Sequence, residues 1–230
     1  MIVAERKPLD EIKAKIQDYK KVLILGCGTC VSVCMAGGEK EVELLASQLR
    51  MSCQLENKDT EFGEATIERQ CDKEFIEPIL EKASNYDAIL SMGCGAGVQL
   101  VADMLDTMPV IPALNTRFIG VAQDEGVWTE KCLACGNCML ADFGGICPIA
   151  LCAKSHLHGP CGGSENGKCE VGDDRDCAWA LIIDRLAKQG RLDILENREV
   201  PPKDHSAHKH PAKQVNDNYQ KAVMDEAHSH

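Results

Sequence analysis

The feature that most constrains this chain is a run of closely spaced cysteines. Cys132, Cys135, Cys138, Cys147, Cys152, Cys161, Cys169 and Cys177 fall in a stretch that is otherwise short of apolar side chains. Such a stretch cannot build an ordinary hydrophobic core, so metal–thiolate bonds are expected to supply much of its folding free energy. Cys132-Leu-Ala-Cys135-Gly-Asn-Cys138 has the tight spacing of ferredoxin ligands. Cys147 is followed by Pro148, as the last ligand of a ferredoxin run is, though at a longer separation. The spacing favours one [4Fe-4S] cluster on Cys132, Cys135, Cys138 and Cys147, and a second metal site on Cys152, Cys161, Cys169 and Cys177. Ligands that cross between the two groups remain open, as does zinc, because Cys-x-x-Cys pairs also build zinc ribbons; the preference for iron is weaker in the second group.

Disulfides are the competing use of so many cysteines. Met1 to Lys21 is mixed in charge and helix-like, without the apolar segment of a secretory signal. A cytoplasmic chain is therefore expected, and there such cysteine density goes with metal more often than with disulfides.

The residues before this run, 1–127, predict an open parallel α/β sheet of Rossmann or flavodoxin-like type. Val22-Leu-Ile-Leu25, Ala65-Thr-Ile-Glu-Arg69, Ala88-Ile-Leu-Ser-Met92 and Val110-Ile-Pro-Ala113 suit strands, the last an edge strand or strand end because of its proline. Between them lie helical patterns: Pro8 to Lys20, then Val42, Leu45, Ala46 and Leu49, then Phe75, Ile76, Ile79 and Leu80, then Val98, Val101, Ala102 and Leu105. Strands alternating with helices imply right-handed crossovers.

Five cysteines fall just beyond these strands: Cys27, Cys30 and Cys34 after the first, Cys71 after the second and Cys94 after the third. Ligands of open α/β sheets bind outside the carboxyl ends of the strands, so these thiols compete for the corners of one further cluster. The favoured set is Cys27, Cys30, Cys34 and Cys94, with Cys71 in reserve; Cys71 and Cys53 also fit a small buried hydrophobe. Gly26-x-Gly28 does not complete a dinucleotide fingerprint, since Val31 stands at the third glycine. Cys27-x-x-Cys30 also fits a thioredoxin-like redox pair.

Residues 128–196 are expected to form the metal-binding region, with little regular structure. Trp179, Ile182, Ile183 and Leu186 on a helix would shield it from water. From 197 to 230 the chain turns polar and histidine-rich after Pro201-Pro202, and disorder is expected there. The formal net charge of -11 argues against binding nucleic acid or an anionic membrane, and no stretch is apolar for long enough to cross a bilayer.

Several of these motifs together resemble a known family. They include Gly26-Cys-Gly-Thr-Cys30, Glu68-Arg-Gln-Cys71-Asp72, Gly93-Cys-Gly-Ala-Gly-Val-Gln99 and Pro112-Ala-Leu-Asn-Thr116, then the cysteine run with Gly159-Pro-Cys-Gly-Gly163, Gly167-Lys-Cys-Glu-Val171 and Cys177-Ala-Trp179. Over about Val22 to Leu195 the chain resembles the methylenetetrahydrofolate reductase C-terminal domain family. One departure is His158, where the family pattern has asparagine. Free-standing members are the small iron–sulfur (MetV-type) subunits of the acetogen enzyme. The cysteine groups allow two or three [4Fe-4S] clusters, with zinc in place of one as the alternative; the resemblance implies a flavoprotein catalytic partner of TIM-barrel fold that carries FMN and the folate. It implies electron transfer to that flavin in the Wood–Ljungdahl pathway, with ferredoxin or another donor subunit upstream. The alternative is a zinc-stabilised scaffold in the same complex without redox role. The partner is expected to dock on the loop Pro148 to Gly163, with Leu151, His156 and Leu157 exposed.

Overall fold

Ile2–Arg6, in a stretch whose mixed charge predicted helix, forms strand β1. Pairing decides this: β1 runs antiparallel to a strand more than a hundred positions later, which buries Val3 and Ala4. Helix α1, Leu9–Ile16, follows Pro8 and seats Ile12 and Ile16 in the core; it is shorter than its apolar pattern predicted. The computed structural model describes residues 1–197, 203–207 and 211–216, in two units, Met1–Cys132 and Leu133–His230.

In the first unit the order continues with β2 (Lys21–Cys27), α2 (Cys30–Val33), α3 (Glu39–Leu55), β3 (Glu61–Ile67), α4 (Lys73–Ile76), α5 (Leu80–Ala83), β4 (Ala88–Ser91), α6 (Gly95–Leu105), β5 (Val110–Pro112), β6 (Leu114–Asp124) and β7 (Val127–Cys132). Four strands make the expected parallel sheet in the order β3-β2-β4-β5. Pro112 ends its edge strand β5, where its missing N–H costs no ladder bond. The antiparallel sheet β1-β6-β7 was not foreseen.

The period-2 geometry of β2 splits the core into two layers. Val22 and Ile24 point to one face, where α1, α3 and the antiparallel sheet supply Ile16, Val42, Leu45, Leu49, Val3 and Leu114. Leu23 and Leu25 point to the other, against Ile76, Ala83 and Val101 of α4, α5 and α6. Both faces are covered, which is why the strand reads as an unbroken apolar run. Because β3 lies on one side of β2 and β4 on the other, the direction in which strands are added to the sheet reverses there. That gives a topological switch point between β2 and β4, where such sheets open a crevice.

The second unit holds α7 (Pro148–Leu151), β8 (Lys168–Cys169), β9 (Gly172–Asp176), α8 (Ala178–Lys188) and α9 (Asp193–Asn197). Despite its composition it has a small core of Phe143, Ile146, Trp179, Ile182 and Leu186. Phe143 and Trp179 meet edge to face, centroids 5.6 Å apart. The Trp179 indole N–H donates to the His156 carbonyl at 2.9 Å, tying α8 to the loop after Cys152. Ile183, expected to shield the same loops, is exposed instead, because it stands on the outer side of α8. Most of the histidine-rich tail, with His208, His210, His228 and His230, lies outside the described residues; His205–Ala207 forms one 3-10 turn. Among the described residues no helix is long and apolar enough to cross a membrane.

Candidate metal centre

Cys27 is the last residue of β2, and Cys94 follows β4 immediately before α6. They therefore flank the switch point from either side. Cys27 is buried, with its sulfur 3.6 Å from the Thr29 hydroxyl and 3.9 Å from the Glu68 carbonyl. Cys30 opens α2 and is half-buried. Cys71, in the loop after β3, is exposed. Its thiol is pushed up, first by desolvation and then by the sulfurs of Cys94, Cys27 and Cys30. The structure thus brings Cys71 into one electrostatic neighbourhood with Cys27, Cys30 and Cys94.

Cys34 faces elsewhere. Its sulfur accepts from the Ala4 N–H at 3.5 Å and lies 3.7 Å and 3.6 Å from the carbonyls of Ala4 and Val31. It caps α2 against β1 inside the core, and burial pushes its thiol up. Cys53 is half-buried on α3 and packs against the same core.

A buried polar network, not anticipated from the sequence, holds the carboxyl end of the sheet. Gln70 and Ser91 are fully buried polar side chains. The Gln70 amide donates to the carbonyls of Leu25 at 2.8 Å and Gly26 at 3.1 Å. Its oxygen accepts from the Ser91 hydroxyl at 2.6 Å, and that hydroxyl accepts from the Gly93 N–H at 3.2 Å. Gly93 and Gly97 pack on Gln70, since a Cβ on either would fall 2.5 Å and 2.7 Å from its atoms. The only hint in the sequence was Gln70 itself, beside Cys71 in a motif noted for its cysteine.

In the second unit the cysteines sit in separate settings. Cys147 caps α7 with Pro148 at its first position. Cys152 and Cys177 pack against the core of Phe143 and Trp179. Cys135 lies 3.8 Å from the Asn137 carbonyl. Cys161 is exposed; its thiol is held below its ordinary value first by the Gly163 backbone and then by Lys154, whose ammonium lies 3.7 Å away. Cys169 ends β8, Cys138 is exposed in its loop, and Cys132 ends β7 in the first unit. Leu151, His156 and Leu157, expected to be exposed, are half-buried, because the loop folds back under Trp179.

None of the fourteen cysteines, all among the described residues, forms a disulfide. Their donor chemistry is soft thiolate, which fits iron–sulfur clusters or zinc. Among the described residues no three or more His, Cys, Asp and Glu side chains are grouped to hold a metal ion.

The cysteine run decides what the chain is similar to. Residues 111–206 match the family model described as methylene-tetrahydrofolate reductase C terminal. The reductase match covers β6, β7 and every cysteine from Cys132 to Cys177, under half of the chain. The parallel sheet's first three strands, with Cys27, Cys30, Cys34, Cys71 and Cys94, lie outside it. No curated protein and no solved structure matches the chain.

Proposed function

We propose that this chain is the iron–sulfur electron-transfer and assembly subunit of a methylenetetrahydrofolate reductase complex. The observation that carries the reading is the match of residues 111–206 to the reductase C-terminal family, over the same segment that holds the ferredoxin-like cysteine run. The partner is a flavoprotein that binds the folate. No barrel is present among the described residues, whose parallel sheet has four strands. FMN on that partner would supply the two electrons that convert methylene-tetrahydrofolate to methyl-tetrahydrofolate. The setting is the cytoplasm and the Wood–Ljungdahl pathway, with ferredoxin or another donor subunit upstream.

Cys132, Cys135, Cys138 and Cys147 would hold one cluster, and Cys152, Cys161, Cys169 and Cys177 a second or a zinc ion. Cys27, Cys30, Cys71 and Cys94 would hold a third, with Cys71 in place of Cys34, whose sulfur is engaged by β1. Bound clusters would pass single electrons from donor to flavin. The chain's own residues prepare for them. Lys154 and the Gly163 N–H favour the thiolate of Cys161, the form a metal needs. Phe143, Trp179 and Ile182 keep water from the side of Cys152 and Cys177, which tunes a nearby redox group.

The test is anaerobic co-expression with a flavoprotein methylenetetrahydrofolate reductase. A brown complex that contains iron, and whose flavin is reduced by a low-potential donor only when this subunit is present, is the expected result. Equal flavin reduction without the subunit removes the conduit role. A colourless complex containing only zinc replaces it with the scaffold reading.

A further inference from the structure

Three of the four sheet-edge cysteines stand one residue from a member of the buried polar network. Gly26, whose carbonyl accepts from Gln70, precedes Cys27. Gln70 itself precedes Cys71. Gly93, whose N–H reaches the Ser91 hydroxyl, precedes Cys94. One side chain therefore bonds to the backbone of β2 directly and to that of the β4 loop through Ser91, while its own backbone carries the third cysteine.

The location sharpens the point. Pairing of β2 with β4 ends at Leu25 and Ser91, so the strands part just before the two cysteines. An apolar side chain would fill the space without the cost of burying an amide, and a buried polar group is tolerated only when its bonds are made. Both polar atoms of the Gln70 side chain are bonded, and what those bonds fix is the separation of three backbones at a crevice. Gly93 packs against the amide of Gln70 and Gly97 against its Cβ and backbone.

We propose that Gln70, braced by Ser91, is the positioning residue of a metal centre at the switch point, fixing the backbone beside Cys27, Cys71 and Cys94 so that these thiols, with Cys30 as fourth ligand, can close around a [4Fe-4S] cluster. The proposal rests on the reading that these four thiols bind a cluster, and it lies outside the segment matched to the reductase family. Gln70 touches no metal; it acts through the backbone beside each ligand. Partners of this kind change metal retention by roughly 10–100-fold when removed.

The experiment uses the full chain, reconstituted anaerobically with ferrous iron and sulfide, in wild-type form and as Cys71→Ser, Gln70→Met, Ser91→Ala and Ser91→Thr. Iron per chain, the rate of iron release to a ferrous chelator, and the electron paramagnetic resonance of the reduced protein are read for each. Cys71→Ser is expected to lose about four irons, one cluster's worth. Gln70→Met is expected to release that same iron about tenfold faster or more, with a shifted resonance, while iron in the cysteine run stays put. Ser91→Ala moves both readouts in the same direction by less, and Ser91→Thr, which keeps the hydroxyl, restores them. Combining Gln70→Met with Ser91→Ala adds nothing to Gln70→Met alone, because Ser91 acts through Gln70. If Gln70→Met does not fold, Ser91→Ala, which removes one oxygen, carries the test with its threonine rescue. Wild-type release and resonance in Gln70→Met, or in Ser91→Ala where it stands in, overturn the proposal while the loss in Cys71→Ser leaves the four-thiol reading standing. Full iron in Cys71→Ser overturns that reading, and the proposal with it.

Discussion

Gly97→Ala sets two known effects against each other on one helix. Gly97 is buried in the first half of α6, and in an unconstrained helix alanine would be favoured there by about 1 kcal/mol. The new methyl, however, would stand 2.7 Å from Gln70 Cβ and 3.3 Å from its carbonyl carbon. Carbon atoms rest comfortably at about 3.5–4.0 Å, so α6 or Gln70 must move by most of an ångström. Gln70 cannot retreat, since its amide is bonded to Leu25, Gly26 and Ser91 on the far side. Overpacking of this kind costs about 1–3 kcal/mol, which outweighs the helical gain and leaves a net loss near 1 kcal/mol. Native-state hydrogen exchange of the Leu25 and Leu90 amides, at the centre of the first unit, reads that loss without interference from the second. Exchange should quicken about fivefold. Gly95→Ala serves as the control, because its methyl would meet nothing closer than the Thr116 hydroxyl at 3.6 Å, and it should be neutral or stabilising. Slower exchange in Gly97→Ala, equal to that of the control, would refute the claim that Gln70 is immobile.

Cys94→Ala should remove about one cluster's iron while the cysteine run keeps its own, measured by iron analysis after anaerobic reconstitution; unchanged iron content contradicts it. Phe143→Ala empties a fully buried site against Trp179 and should cost the second unit about 3–5 kcal/mol, followed by Trp179 fluorescence in denaturant; a cost under about 1 kcal/mol would mean that this core bears little of the stability. Glu56 is held at about 2, below the ordinary 4.5, first by its bond to Lys13 and then by Lys58. Its folded value is depressed, so its contribution is present above about 4.5 and is lost as pH falls toward 2; in Lys13→Met the Glu56 titration followed by NMR should move upward.

The centre of the parallel sheet was legible because β2 and β4 are buried on both faces and each leaves an unbroken apolar run just ahead of a glycine. Val22 to Leu25 and Ala88 to Ser91 are found where those runs placed them. β3 was misplaced by several residues, since Glu61–Ile67 is only partly buried and its alternation is weak. β1 and β6 escaped notice for a different reason: their mutual pairing, and not local preference, makes them strands. The same limit applied at the sheet edge. Sequence position set Cys34 one turn beyond Cys30 and so favoured it, but direction around α2 turns its sulfur to Ala4, while Cys71 comes back from a distant loop. Gln70 was visible only as the neighbour of Cys71, because burial of an amide depends on three backbones that lie far apart in the sequence.

The pairing of β1 with β6 also bears on how the chain is made. Ile2 lies beside Ile119, so the first strand leaves the ribosome 117 positions ahead of its partner. At synthesis rates of about 5–20 residues per second, it waits on the order of ten seconds with its ladder groups unsatisfied. Through that interval Ile2, Val3 and Ala4 form a short sticky edge, and Glu5 and Arg6 directly after them supply charge that discourages pairing with another nascent chain. Glu5 is then neutralised on arrival, when Arg117 of β6 comes within 3.1 Å of its carboxylate. The parallel sheet has all four strands in hand by Pro112, yet its α1 and α3 face stays open until β6 is delivered. Closure of the first unit is thus a late event in translation, timed by a strand that is followed by only one more, β7, before the cysteine run.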